Sequence, residues 1–386
     1  MFKDRKWPGD LNYVYLPRMY IANAIDVVIP SFRLDEQILL RIINLTQPLE
    51  IKINFYLIAD NPLLTVPDSI ATLASDGSIH LVINETNLGF AETRNKGIRL
   101  GNSKWLLLLD DDIVPDDGLL MAYATAIGGR PDAIGFAGVT DFPEPLNIAT
   151  KAMVIQGMTG HFSAARHHQE LMWVPTANVM LNRCKMDPKL FDKRLKKGGE
   201  DIEFLLRNVQ RFNDHYIGVP DAVVEHPWWD HGALQSKRIF RYGGGAAQIA
   251  SLPVIKPYTF HDFTNTAETL LLLIITAPVA VAFCDVSTLL LICLIVIFSE
   301  FITSLLKVFF STRRWSLAIA WDVLWLKNSY EFGYLLESLG TFRISGFAER
   351  IDMGFSRRNP GWFRLNKWKI IKMILILFGL VIINVF

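Results

Sequence analysis

The sequence predicts an α/β protein: a doubly wound, mostly parallel sheet, followed by an all-α transmembrane or interfacial region. Three observations carry this. Short β-rich runs alternate with helical stripes through the first 260 residues; the apolar run at 105–109 ends in Asp110, Asp111 and Asp112; and almost all long apolar runs lie after Thr266. At 386 residues the chain has room for a full α/β domain and a second part. The formal net charge is +1, so no global basic field argues for nucleic acid as a partner. Cys184, Cys284 and Cys293 are odd in number and lack metal-ligand spacing, so they read as small hydrophobes. In the N-terminal segment 1–23, residues 1–20 lack the apolar core of a secretory signal, so the domain that follows is expected in the cytosol.

Taken in order, residues 24–31 form a first strand, stopped at Pro30 and Ser31. Residues 34–45 carry a helical stripe of Leu34, Ile38, Leu39, Ile42, Ile43 and Leu45. A second strand at 53–59 closes on Asp60, Asn61 and Pro62, a carboxylate just past a strand in a segment that is also ordinary turn chemistry. A third strand at 79–83 leads through Asn87, Leu88, Gly89 and Phe90 into a helix at 91–100, capped by Gly101. The acidic strand comes next. Open parallel sheets bind ligands off the carboxyl ends of their strands, so Pro30, Asp60, Asn87 and Asp110 to Asp112 are expected to converge. Three adjacent carboxylates are costly unless a cation or water absorbs the charge, and oxygen ligands suit Mg²⁺ or Mn²⁺. The plain alternative is an acidic turn.

Beyond Pro115 the pattern gives a helix at 119–127, a strand at 133–140 and another at 173–181. Gly198 and Gly199 then allow a sharp bend into Glu200 and Asp201, where Ile202, Leu205, Leu206 and Val209 mark a helix starting at the carboxylates. An Asp at a helix start is a natural N-cap, and Asp201 is either that or a reacting group.

The segments Asp26-Val27-Val28-Ile29-Pro30-Ser31, Asn87-Leu88-Gly89-Phe90 with Arg94-Asn95-Lys96-Gly97-Ile98, Leu109-Asp110-Asp111-Asp112 and Gly199-Glu200-Asp201-Ile202-Glu203 together resemble family 2 glycosyltransferases. Those are inverting, nucleotide-sugar enzymes with the GT-A fold, and the resemblance covers roughly residues 25–245. It implies a nucleoside-diphosphate sugar donor bound through Pro30, Ser31, Asp60, Arg94, Asp110, Asp111 and Asp112. It also implies Mn²⁺ or Mg²⁺ on the donor diphosphate, with Asp112 as the direct ligand and Asp110 and His226 as further ones. Asp201 is the implied general base for an acceptor hydroxyl, and Glu200 orients the acceptor or holds the loop. Trp228 and Trp229 are placed to stack on a sugar or sit at a membrane interface. Gln235-Ser236-Lys237-Arg238-Ile239 resembles the Gln-x-x-Arg-Trp element of processive synthases, with Ile239 in place of the Trp. Arg241-Tyr242-Gly243-Gly244-Gly245 fits the Arg-Tyr-Gly segment of non-processive relatives, either closing over the diphosphate or acting as a hinge. Gln235, Arg238 and Arg241 are thus expected at the acceptor or diphosphate.

The predicted domains are 24–262, a GT-A transferase, and 263–386, a membrane region. Apolar spans are expected at about 269–284, 286–308 and 369–386, with an amphipathic interfacial helix at about 315–342. Lys307, Arg313, Arg314, Arg357, Arg358, Arg364, Lys367, Lys369 and Lys372 flank the spans, and by the positive-inside rule leave the catalytic domain cytosolic on a multi-pass membrane protein. A domain tied to membrane lipid in this way is expected to use a lipid-linked saccharide or glycolipid acceptor. The rivals are a processive polysaccharide synthase and a membrane scaffold on a degenerate transferase fold. A sugar-phosphate nucleotidyltransferase lacks support, because residues 30–33 are not a Gly-rich phosphate loop.

Overall fold

The computed structural model describes residues 20–282, 285–355, 364 and 366–385. The N-terminal segment up to residue 19, Cys284, Arg357 and Arg358 lie outside the described residues. The chain opens with β1 (Ile21–Ser31), α1 (Glu36–Ile43), β2 (Lys52–Ala59), α2 (Asp68–Ser75), β3 (Ile79–Ile83), α3 (Phe90–Leu100) and β4 (Ser103–Leu109). It continues with β5 (Val114–Pro115), α4 (Leu119–Gly129), β6 (Gly135–Asp141), α5 (Ile148–Gln156), β7 (Glu170–Leu171) and β8 (Asn178–Asn182). Then come α6 (Glu200–Phe212), β9 (Tyr216–Glu225), α7 (Ser236–Ala250) and β10 (Thr259–His261). The C-terminal part holds α8 (Thr266–Ala280), α9 (Val286–Thr312), α10 (Leu317–Gly340), β11 (Glu349–Ile351) and α11 (Lys367–Val385).

Strands β1 to β9 make one sheet in the order β3-β2-β1-β4-β8-β6-β9-β5, with β7 also on β9. The four strands β3, β2, β1 and β4 are parallel, joined by crossover helices, as the alternating pattern predicts. Past β4 the sheet is mixed: β8 runs antiparallel to β4 and β6, while β6 and β9 are parallel. The strand expected at 173–181 is confined to β8, with residues 176–177 in a turn before it.

Side chains alternate across the sheet. Ile25, Val27, Ile29, Leu57 and Leu107 pack on one face, and Val28, Ile58, Leu106 and Leu108 on the other, against Leu205, Leu206 and Ile249 of α6 and α7. An ion pair sits inside, Asp26 with Arg183. Asp26 is fully buried and accepts from Ser103 N at 2.9 Å, Ser103 Oγ at 2.6 Å, Asn54 Nδ2 at 3.0 Å and Arg183 Nη2 at 2.9 Å. Removing one member of such a set would strand a buried charge, so it fixes β1 against β2 and β4.

The aromatic helix expected at the interface over 315–342 is α10, and its buried face meets protein. Gly243 of α7 lies against the Tyr330 carbonyl, and Gly333 of α10 against the Phe240 carbonyl; a Cβ at either would overlap that backbone. The glycines 243–245 are therefore neither a hinge nor a flexible closing loop. They lie in the interior of α7, where Gly243 lets the α10 backbone approach and Gly245 the backbone of residues 197–198. Trp321 and Trp325 of α10 remain exposed, Trp325 donating its indole N–H to Ser236 Oγ at 2.8 Å, and Trp315 is exposed just before the helix.

The first expected span, at 269–284, is α8, whose 15 residues reach about 22 Å and fall short of the ~20 residues a crossing needs. Among the described residues one helix, α9, is long and apolar enough to cross a membrane. Its first half exposes Leu290, Leu291, Leu294, Ile297 and Phe298, and α8 and α11 add Ile274, Ile275, Ile374, Leu377 and Phe378. At the base of this apolar cluster, Glu300 of α9 meets Lys327 of α10 at 2.9 Å and Lys372 of α11, while Glu331 takes the Thr266 N–H at the start of α8. Charges that neutralise one another thus tie all four helices together.

Candidate active site

Because β1 and β4 are parallel neighbours, with Val28 opposite Leu108, the chain leaves both strands at the same edge. That brings residues 31–33 against the acidic triplet. Ser31 Oγ donates to Asp111 Oδ2 at 2.7 Å and the Phe32 N–H to the same oxygen at 3.2 Å. Arg33 Nη2 lies 2.6 Å from Asp111 Oδ1 and 2.9 Å from Asp112 Oδ2. Asp111 is turned into the protein as the anchor of the β1 loop, while the side chains of Asp110 and Asp112 are 28% and 20% exposed. Pro30 lies opposite Ile58, and Ser31 opposite Ala59 ends the ladder.

Arg94 lies on the inward face of α3 with Ala91, Asn95 and Ile98 and is 7% exposed. Its Nη1 donates to Glu200 Oε1 at 2.9 Å and its Nη2 to Asp110 Oδ1 at 3.1 Å. One guanidinium thus joins the end of β4 to the start of α6. The residue that caps α6 is Gly199, at φ 91°, where a side chain would be strained and would press on Ile249. Asp201 is therefore not the N-cap; it lies in the first turn, where its Oδ1 accepts the Ile202 N–H at 2.8 Å. Burial pushes the Asp110 and Asp201 carboxyls above their ordinary range. Glu200 is pushed up to about 8 by burial and by the Asp201 charge, against the pull of Arg94.

His226 follows β9 and is 4% exposed, stacked on Phe142 with ring centroids 5.1 Å apart. Its Nδ1 is 2.7 Å from the Pro227 carbonyl, which only accepts, so the proton sits on Nδ1. Its Nε2 lies 3.4 Å from Asp112 Oδ1. In the neutral form of the ring, that nitrogen and the carboxylate oxygen make a donor pair suited to a divalent cation. Among the described residues no group of three His, Cys, Asp or Glu side chains is arranged to hold a metal. A cation here would draw its other ligands from water and substrate, as Mg²⁺ and Mn²⁺ commonly do.

Three expected contacts lie elsewhere. Trp228 is 4% exposed, packed with Trp229, Met153 and Ile239, and its indole N–H reaches the Pro143 carbonyl at 3.2 Å, so it presents no face for stacking on a sugar. Gln235 donates to Asp230 Oδ2 at 3.0 Å and the Ala233 carbonyl at 2.9 Å, and accepts from Arg238 Nε at 3.0 Å. Arg238 lies over the Trp229 ring at 4.9 Å. These two brace a turn in which Asp230 and His231 hold left-handed backbone. Arg241 is exposed on α7, beside Tyr242. Asp60 converges on the edge but faces inward: it accepts from Asn84 Nδ2 and Leu88 N at 2.8 Å and from Gly89 N at 2.9 Å, which shapes the loop before α3.

A family model described as glycosyl transferase family 2 matches residues 26–191, from the buried Asp26 through the acidic triplet to Phe191. Residues 26–191 form a family 2 glycosyltransferase domain. Comparison with curated proteins returns no match for this transferase. Among solved structures it is similar to the mannosyltransferase PcManGT from Pyrobaculum calidifontis, described in complex with GDP-Man and Mn²⁺. The TM-score is 0.50 at 15% identity, over 86% of this chain and 90% of that one. S. aureus TarS gives a TM-score of 0.39 at 12% identity, over 59% of this chain and 40% of its own. GalNAc-T7 with UDP, GalNAc and Mn²⁺ gives 0.44 at 14%, over 66% and 51%. The transferase thus spans less than two thirds of the TarS and GalNAc-T7 chains, whereas its likeness to PcManGT runs over most of both and is a likeness of fold, GT-A.

Sequence reasoning missed Arg33, which touches two members of the triplet, and Phe142, which positions His226. The signal for Arg33 was present, since parallel neighbours β1 and β4 must deliver the residues just past each strand to one place. Phe142 carried none, because the pairing of β6 with β9 that brings it to His226 has no local sequence mark.

Proposed function

We propose that this transferase moves a sugar from a nucleoside-diphosphate sugar to a hydroxyl of a lipid-linked saccharide or glycolipid, with inversion, assisted by Mn²⁺ or Mg²⁺. The observation that carries the reading is the Arg94 bridge. It gathers Asp110 at a strand end and Glu200, next to Asp201, around one buried guanidinium at the edge where such sheets bind ligands.

The acceptor oxygen forms its bond to the anomeric carbon as the bond from that carbon to the diphosphate oxygen breaks. Asp201 takes the acceptor proton, and the nucleoside diphosphate leaves. Burial raises both carboxyls of the Glu200 and Asp201 pair, and Arg94 occupies that of Glu200. Asp201, with the Ile202 N–H on its carboxylate, is then the base. Asp112 and His226 are the residues that would hold the cation, and the chemistry it supplies is neutralisation of charge on the departing diphosphate. The inward-facing carboxylate of Asp60 acts on the donor by shaping residues 88–89.

Membrane association rests on the exposed apolar cluster of α8, α9 and α11. The exposed stretch of α9, Val286 to Phe298, is 13 residues, about 20 Å, against a hydrocarbon core of ~30 Å. The α8–α9 hairpin therefore inserts from one side, with the Glu300, Lys327 and Lys372 cluster marking the depth at which lipid begins. The catalytic domain stays on the cytosolic side, close to a lipid-held acceptor. The test is turnover by protein purified in detergent, across GDP, UDP and dTDP sugars with Mn²⁺ or Mg²⁺ and added membrane lipid extract. Cation-dependent release of one nucleoside diphosphate with label passing into lipid supports the reading; no turnover of any donor refutes it.

A further inference from the structure

We propose that Arg33 exchanges partners during donor binding. In the donor-free site it is the counter-ion of Asp112, and on arrival of the nucleotide sugar its guanidinium transfers to the diphosphate. This rests on the reading of the site as one for a divalent cation and a nucleoside diphosphate.

The contacts of Arg33 separate into a fixed set and a releasable one. One nitrogen, Nη2, sits between Asp111 Oδ1 at 2.6 Å and Asp112 Oδ2 at 2.9 Å. Asp111 does not depend on it, because Ser31 Oγ and the Phe32 N–H hold the other oxygen at 2.7 and 3.2 Å. Asp112 has weaker support, its other oxygen lying 3.4 Å from His226 Nε2. The Arg33 side chain is 55% exposed, whereas that of Arg94, the other guanidinium on the triplet, is 9% exposed and locked between two carboxylates. Arg94 is built in, and Arg33 is free to turn toward solvent, where the donor enters. The backbone beneath it is pinned: Leu34 is buried at φ 50°, its N–H donates to Ser31 Oγ, and Asp35 caps α1. Only the side chain has to move.

The charges give the exchange its direction. Two adjacent carboxylates attract a guanidinium while nothing else is bound. A divalent cation on Asp112 and His226 places like charge beside that guanidinium and weakens its hold. A diphosphate offers oxygens in the fork geometry that a guanidinium matches with two parallel bonds. Arg33 therefore opposes the cation when it arrives alone and assists it when it arrives with the nucleotide, which couples the two ligands.

The experiment measures binding without turnover: MnCl₂ by electron paramagnetic resonance, and GDP or UDP with Mn²⁺ by calorimetry. It uses the full chain in detergent, as wild type, Arg33→Gln and Arg33→Lys, with melting curves to show that each variant is folded. Arg33→Gln should bind Mn²⁺ alone more tightly than wild type, about threefold, and the Mn²⁺ nucleotide about tenfold more weakly, the loss of roughly one charge-assisted bond. Arg33→Lys should restore part of the nucleotide affinity. Both affinities falling together would mean that Arg33 only supports the site, and neither changing would mean that it has no part; each overturns the proposal. A wild type that binds neither Mn²⁺ nor nucleotide overturns the site reading itself and this proposal with it.

Discussion

Arg94→Met removes the guanidinium that joins β4 to α6 while keeping most of the side-chain volume. Arg94 donates to Glu200 at 2.9 Å and to Asp110 at 3.1 Å, and the Arg94 and Glu200 side chains are only 9% and 8% exposed. Breaking one side of a buried ion pair costs about 3–5 kcal/mol, because the partner is left charged without water. Asp110 is 28% exposed and regains some hydration, which places the expected loss at the low end, about 3 kcal/mol near pH 8. At about 2–4 °C per kcal/mol for a large domain this lowers the melting midpoint by roughly 6–12 °C. The loss should depend on pH. Burial raises both carboxyls, so without Arg94 they take up protons as pH falls, and neutral acids tolerate burial. Melting of wild type and variant in detergent at pH 8.5 and pH 5.5 should show the gap shrinking by more than half at the lower pH. An equal gap at both, or a wider one at pH 5.5, would refute the argument that Arg94 neutralises those two groups.

Two more perturbations test other joints. Gly333→Ala places a methyl group against the Phe240 carbonyl of α7 and should cost about 1–3 kcal/mol by overpacking, with faster proteolytic cutting around residues 341–348 where α10 loses its seat. Glu200→Gln tests the raised acid: a carboxyl whose folded pKa rises from 4.5 to about 8 contributes stability that is present below 4.5 and lost as pH climbs through 8. The variant should therefore melt nearly level with wild type at pH 5 and increasingly above it toward pH 8.5, and a difference that does not grow with pH contradicts the assignment.

The parallel half of the sheet was legible because each of its strands is an uninterrupted β-rich run ending in turn chemistry, and the helices between them keep apolar residues on one face. The carboxyl edge followed, and with it the convergence of Pro30 with residues 110–112. Less legible was everything decided by which chain segments meet. Nothing local to 178–182 tells that it inserts antiparallel between β4 and β6. Trp228 reads as a binding aromatic by residue type, yet its burial comes from α5 and the 143–144 backbone, far away in sequence. The Gly243 to Gly245 run was read for flexibility, when its meaning is close approach; a matching small residue, Gly333, was the available sign that α7 and α10 pack backbone to backbone. In the same way Asp60 looked like a binding group because it follows a strand, and the three donors that occupy it become visible only once the loop after β3 folds back onto β2.

The central claim, that Asp201 is the base of a sugar transfer on this edge, is tested most directly by Asp201→Asn assayed for both donor binding and transfer. The amide keeps the shape and an oxygen for the Ile202 N–H but accepts no proton. The account predicts cation-dependent nucleotide binding within about twofold of wild type and transfer lowered by about 10²–10⁴, the usual range for loss of general-base assistance. Transfer at the wild-type rate in this variant would contradict it.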